Sequence, residues 1–249
     1  WWLMSRVLSW YSNGAASAVA TKLTISSGRD VTPVICDTGA EHPDNDRFGA
    51  ECEVWFGKKI TRLKSEKYAD TWDVWEKTGW LAGINGARCT GELKIEPRLK
   101  FQRPGDIHVF GYTADAADIK RAERLRENYY DLTIETPLID QGITKAACIA
   151  MIDRAGLTPP LTYALGFPNA NCLPCVKATS PAYWSLVREH FPELFDRMVK
   201  LSRKLDVRLA RINDERVFID EIPAHWKTTD AIIPSCDFLC ALAEMGINE

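Results

Sequence analysis

The chain has 249 residues, 46% hydrophobic and 26% charged, enough for one large α/β domain or two small ones with a buried core. A formal charge of −3 removes any global electrostatic reason to bind nucleic acid, leaving only local basic patches for that role. No apolar run approaches the roughly eighteen residues of a membrane span, and no signal peptide is legible after Trp1-Trp2-Leu3-Met4-Ser5, so no membrane association and a cytoplasmic location are expected.

In chain order, Val7 to Tyr11 reads as a short buried strand that runs into the small-residue loop Ser12-Asn13-Gly14-Ala15-Ala16-Ser17. An Ala-rich helix through Leu23 follows, then a strand from Val31 to Cys36 ending at Asp37-Thr38-Gly39. A helix from about Asp44 to Phe56, a strand near Ile60 to Leu63 and a Trp-rich helix from Thr71 come next. Ile107 to Tyr112 reads as another buried strand and Asp115 to Asn128 as a charged helix. From Thr144 the pattern turns helical, broken by Pro159-Pro160 and by the loop from Gly166 to Cys175. Alternation of strand and helix predicts an α/β fold, a mainly parallel sheet with helices on both faces. The expected division is an α/β part over 1–143 and a helical, cysteine-bearing part over 144–249 packed on it.

Ligands of open α/β sheets sit beyond the carboxyl ends of the strands, where the loop from Ser12 to Ser17 falls. Small residues let backbone N–H groups approach an anion, and the helix N-terminus behind them favours negative charge. A tight βα turn would need small residues too, and the loop matches neither a Walker A nor a dinucleotide fingerprint. The loop nevertheless resembles the Ser-Gly-Gly-x-Asp-Ser pyrophosphate loop (PP-loop) of the phosphoadenosine-phosphosulfate (PAPS) reductase-like adenine-nucleotide α-hydrolases. Asp37-Thr38-Gly39-Ala40-Glu41 is similar to their Asn/Asp-Thr-Gly-x-Glu, and Pro137-Leu138-Ile139-Asp140-Gln141-Gly142-Ile143-Thr144 to their Tyr-Pro-Leu-x-x-x-Gly-x-Thr. Asn171-Cys172-Leu173-Pro174-Cys175-Val176-Lys177, with Tyr183-Trp184 and Phe191-Pro192-Glu193 beyond it, resembles the phage and prophage members. Asn13 stands where the family loop has its first Gly, and Ala16 where it has Asp.

The resemblance implies a nucleotide-binding first part that takes ATP with Mg2+. Ser12, Asn13, Gly14, Ala15 and Ser17 would hold the phosphates, Asp37, Thr38 and Gly39 would line the nucleotide site, and Glu41 would orient the second loop.

Eight cysteines are many for a chain without secretory signals, which favours metal or redox chemistry over a disulfide framework. Cys36, Cys52 and Cys148 are isolated and read as small buried hydrophobes. Cys172 and Cys175 can turn two sulfurs to one point, Cys89 is the best third ligand, and Cys236 or Cys240 could add a fourth. Spacing leaves zinc, a Cys172–Cys175 redox disulfide and an iron–sulfur cluster open. Resemblance to tRNA-thiolating relatives of this fold implies a [4Fe–4S] cluster on Cys89, Cys172 and Cys175, with zinc the alternative. The four histidines form no paired-ligand spacing.

Arg197, Lys200, Lys204, Arg208 and Arg211 would form one cationic helical stripe over a buried face of Leu194, Met198, Leu201 and Leu205. Arg88, Lys94, Arg98, Lys100 and Arg103, opposed by Glu92 and Glu96, flank Cys89 and suggest a phosphate-bearing substrate. Trp72, Trp75 and Trp80 have the helical spacing of core residues. Three activities follow as expectations. The leading one is ATP-dependent sulfur transfer, with Cys89, Cys172 and Cys175 catalytic, a nucleic acid (tRNA or DNA) or nucleotide as acceptor and a sulfur-donor protein as candidate partner. The second is phosphosulfate (PAPS or APS) reduction, for which the Glu-Cys-Gly-Leu-His tail of the assimilatory reductases has no counterpart here. The third is a non-catalytic nucleotide-binding module, which Ala16 keeps open.

Overall fold

The structure is a computed structural model and describes residues 5–83 and 86–227. Its first half follows the predicted order. Val7–Trp10 is β1, Ala15–Ser26 α1, Val31–Cys36 β2, Asp44–Phe56 α2, Thr61–Leu63 β3 and Thr71–Thr78 α3. Ala82–Gly83 (β4) and Gly86–Ala87 (β5) pair antiparallel. Arg88–Thr90 (α4) runs through a π-helical stretch, Gly91–Ile95, into Glu96–Phe101 (α5). Then come Ile107–Phe110 (β6), Ala116–Asn128 (α6), Thr133–Glu135 (β7), Pro137–Asp140 (α7), Lys145–Arg154 (α8) and Leu161–Ala164 (α9). Pro181–His190 (α10) and Pro192–Lys204 (α11) precede a hairpin of Ala210–Ile212 (β8) and Glu215–Val217 (β9).

The main sheet has the order β3-β2-β1-β6-β7 and every pairing is parallel. β1 is central, pairing Val7 with both Val31 and Ile107, and its Val7, Leu8 and Ser9 are buried, as a strand covered on both faces requires. The chain leaves β1 toward β2 and later returns to its other side as β6, so the switch point lies at the carboxyl end of β1.

On one face, Ser9 Oγ meets Thr21 Oγ1 of α1 at 2.8 Å, and the small residues Ala15, Ala18 and Ala20 let α1 lie close to the sheet. A core of α1, α2 and α8 forms there around Phe48, Cys52, Cys148, Met151 and Ile152. Cys52 and Cys148 are buried as expected, and burial pushes the Cys52 thiol up to about 12. A second core joins Trp72, Trp75, Trp184, Phe195, Met198 and Leu209 of the α3, α10 and α11 region.

Four expectations change. The strand Thr133–Glu135 escapes the sequence pattern because it is a short edge strand, tied back by Arg29 to Glu135 at 2.6 Å. The C-terminal part carries a β-hairpin as well as helices. The predicted cationic stripe breaks after Lys204, where Asp206 turns left-handed at φ 50°; Arg211 lies in β8, and Arg197 is answered by Glu76. Trp80 is 47% exposed, because α3 ends at the left-handed Gly79 before reaching it.

Two consequences can be measured. A Cβ on Gly111, just past β6, would stand 2.6 Å from Ser17 Cα and 2.7 Å from Ser17 N, backbone atoms that have no rotamer to yield. Gly111→Ala is expected to cost about 1–3 kcal/mol in urea unfolding, the range for overpacking. Asp44 accepts from Arg47 and from Leu161 N–H, and chiefly the Arg47 bond holds its carboxyl down to about 2. Its contribution to stability is therefore complete above about pH 4 and is lost as pH falls through 2. In acid titrations of unfolding free energy, Asp44→Asn should remove that part of the slope.

Candidate functional site

A cavity of about 370 Å3 opens at the carboxyl edge of the sheet, at the switch point beside β1. Its walls come from the turn after β1, the turn after β2, the α4–α5 segment, the turn after β6 and the Cys172–Cys175 loop.

The first turn is held by its own polar atoms. Ser17 Oγ accepts from Ser12 N–H at 3.0 Å and donates to Gly14 O at 2.9 Å, and Ser12 Oγ stands 3.1 Å from it. Asn13 is left-handed at φ 57°, a conformation that Asn tolerates better than most residues, which explains how it replaces glycine there. Of the residues expected to hold phosphate, Ser12, Gly14 and Ser17 face the cavity. Asn13 and Ala15 are buried beneath it and do not line it. Ala16, in the position of the family's Asp, also lines the wall. Tyr163 of α9 supplies what the sequence did not announce: its hydroxyl accepts Ala15 N–H at 3.3 Å, at the first turn of α1.

The second turn is a knot of short bonds. Asp37 Oδ1 accepts from Gly39 N–H at 2.9 Å and its other oxygen meets Lys64 at 3.0 Å. Thr38 Oγ1 donates to Glu41 Oε1 at 2.6 Å, and Ala40 N–H reaches Glu41 Oε2, so Glu41 orients this loop as expected. Thr38 and Glu41 face the cavity, whereas Asp37 and Gly39 form the back of the turn. Gly39 is required there, with φ 65° and a would-be Cβ 2.7 Å from Ala69 O.

The knot also holds the cysteines. Thr38 Oγ1 lies 3.0 Å from Cys172 Sγ, Leu173 N–H donates to Ala40 O at 2.8 Å, and Cys175 N–H donates to the Tyr183 hydroxyl at 2.7 Å. Cys89 arrives from α4, so Cys89, Cys172 and Cys175 all line one cavity. Burial raises the Cys89 and Cys172 thiols, with Lys94 among the groups that oppose the rise in both. Among the described residues no three His, Cys, Asp or Glu side chains stand close enough to hold a metal ion. The three thiols thus share a wall without closing into a ligand set. Cys236 and Cys240 lie outside the described residues.

Lys94 was visible only as one member of a basic run. It sits in the π-helical stretch, a helix distortion that often marks functional positions, and points into the cavity. Burial works against its charge, but Cys172, Glu41, Cys175 and Cys36 more than offset it and hold its pKa above the ordinary lysine value. The rest of the run divides by partner: Arg88 pairs with Glu92 and Lys100 with Glu66, while Lys94 and Arg98 turn inward. Cys36, expected to be plain core, lines the cavity with its thiol toward Lys94 O at 3.5 Å. Its place just before Asp37-Thr38-Gly39 was the available signal. On the far wall, Trp10, Phe110 and Tyr112 form a stacked series with Arg121 over Tyr112. There Asp118 pairs with Arg121, and Lys145 Nζ binds Asn169 Oδ1 at 2.9 Å.

Comparison of the sequence with protein-family models and with curated proteins gives no match. Comparison of the fold does: phosphoadenylyl-sulfate (PAPS) reductase from Candida auris, solved as a phosphate complex, superposes with a TM-score of 0.52 over 68% of this chain and 82% of that one, at 13% identity. The two chains share a fold. At that identity the likeness concerns architecture, and it agrees with the α/β class that the sequence motifs implied. No helix among the described residues is long and apolar enough to cross a membrane.

Removing the Tyr163 hydroxyl leaves Ala15 N–H without its acceptor. Tyr163→Phe is expected to cost about 1–3 kcal/mol in urea unfolding, the range for a buried donor left unpaired.

Proposed function

We propose that the chain is an enzyme that binds an adenine nucleotide and uses it for ATP-dependent sulfur transfer. One observation carries this reading: one cavity at the switch point is lined by a small-residue turn at a helix N-terminus and, on a second wall, by Cys36, Cys89, Cys172, Cys175 and the half-buried Lys94. The first wall suits phosphate and the second suits sulfur. The backbone of residues 12–17 and the α1 N-terminus hold the phosphate chain, with Mg2+ completing its charge balance. An acceptor oxygen attacks the α-phosphorus and releases pyrophosphate; a sulfur nucleophile then displaces AMP from the activated carbon or phosphorus. The charge of Lys94 opposes the rise that burial imposes on the Cys172 thiol. The acceptor is a nucleic acid, tRNA or DNA, or a nucleotide, and a donor protein supplies the sulfur at the oxidation level of hydrosulfide, so AMP is displaced with no change of redox state.

The fold shared with a PAPS reductase favours a second reading, in which a thiol attacks the sulfur of a phosphosulfate and releases the nucleotide. Nucleotide binding without either turnover would leave a binding module. A [4Fe–4S] cluster, with a zinc ion as the alternative, would take Cys89, Cys172 and Cys175, which line this one cavity, as its ligands.

The nucleotide reading predicts calorimetric binding of a non-hydrolysable ATP analogue, weakened about tenfold or more in Ser12→Ala/Ser17→Ala by loss of the bonds that shape the turn. No binding by the parent protein would refute it. Thiolated product with AMP identifies transfer, and sulfite release from phosphosulfate with thioredoxin identifies reduction. Brown, iron-containing protein after anaerobic purification would establish the cluster, and stoichiometric zinc without iron would replace it.

A further inference from the structure

Among the described residues Arg98 is a buried cation with no carboxylate to answer it. It lies on α5, is 8% exposed and lines the cavity. Its guanidinium stands 4.4 Å from the centre of the Tyr129 ring, and its charge bears on the Cys36 thiol, the Tyr112 phenol and His108. Nε and Nη2 are buried without an acceptor, and among the described residues no carboxylate pairs with it. Arg6, Arg29, Arg47 and Arg203, all more exposed, each meet an Asp or Glu. An aromatic face offsets only part of the cost of burying a charge.

The surroundings are rich in donors. His108 is fully buried, and burial lowers its pKa, so the ring is neutral. Its Nδ1 accepts from Trp10 Nε1 at 3.1 Å, which leaves the proton on Nε2, and Nε2 has no partner. Gln102, one helical turn beyond Arg98, leaves Oε1 open, and turning its amide presents NH2 instead. An arginine fork and an imidazole N–H without acceptors match a group that only accepts and carries negative charge.

We propose that Arg98 is the receptor for a tetrahedral oxyanion of the substrate, a phosphate or sulfate group, at a subsite separate from the small-residue turn. The proposal rests on the cavity being the substrate site, and it makes Arg98 a specificity determinant there.

The test uses the whole chain in the Ser12→Ala/Ser17→Ala background, so that anion binding at the first turn does not mask the second. Inorganic phosphate and sulfate are titrated calorimetrically and by thermal melting. Arg98→Met should weaken oxyanion binding at least tenfold, and Arg98→Lys, which keeps charge but loses the fork, should fall between. Without anion, Arg98→Met should melt at or above its parent, because it removes an uncompensated buried charge. A preference for sulfate or for phosphate tells which group the subsite takes. Unchanged affinity for both anions in Arg98→Met would overturn the proposal, as would a variant that melts lower while keeping the anion-induced shift. Failure of the nucleotide reading shows separately, as absence of ATP-analogue binding in the otherwise unaltered protein.

Discussion

The missing side chain of Gly111 sets how closely α1 approaches the end of β6. The backbone of Ser17 occupies the space a Cβ would take, which brings the first turn of the helix onto the carboxyl edge of the sheet. From that contact the rest of the site follows. The turn from Ser12 to Gly14 is compressed until Ser17 Oγ can close it, Asn13 takes a left-handed backbone, and Tyr163 fits against Ala15. The cavity is the space left between this raised helix end and the loops that arrive after β2 and β6.

Polar atoms then divide the cavity by chemistry. Around the first turn the polar groups are the Ser12 and Ser17 hydroxyls and the backbone atoms they hold. Around Thr38 and Glu41 the neighbours are sulfur and the ammonium of Lys94. The Thr38 hydroxyl joins these regions, since it donates to Glu41 and touches Cys172, so the second turn and the cysteine loop keep one geometry. Helices α4 and α5, with the π-helical stretch between them, carry Cys89, Lys94 and Arg98 to the same space from a single run of sequence.

Much of this was legible because it depends on local pattern. Strands β1 and β2, helix α2 and the two turns after the strands announce themselves through apolar runs that end in small or turn-forming residues, and Cys172 and Cys175 through their spacing. What stayed hidden depends on contacts distant in sequence. Tyr163 is 148 residues from the amide it accepts, and nothing near it marks that use. The sequence offers Arg88, Lys94, Arg98, Lys100 and Arg103 alike as contacts for a phosphate-bearing substrate, and only the fold separates Lys94 and Arg98, which line the cavity, from Arg88 and Lys100, which Glu92 and Glu66 take. Cys36 looked like core because its strand is core; only the pleat reveals that its end opens on the cavity. Strand β7 is three residues long at a sheet edge, too short for periodicity to register.

The links made by Asp44, Asn45 and Ala40 to the later chain concern how the molecule can be divided. Asp44 accepts Leu161 N–H, Asn45 Nδ2 donates to Ala170 O, and Ala40 O accepts Leu173 N–H, while α8 shares its apolar core with α1 and α2. A chain cut at residue 143 would therefore present the far side of α1 to water and leave the turn after β2 without its cysteine loop. The sheet and the Cys172–Cys175 segment are therefore one packing unit; evolution of the later segment is constrained by the packing of the first strand's helix, and any change in the cysteine loop must be made within it.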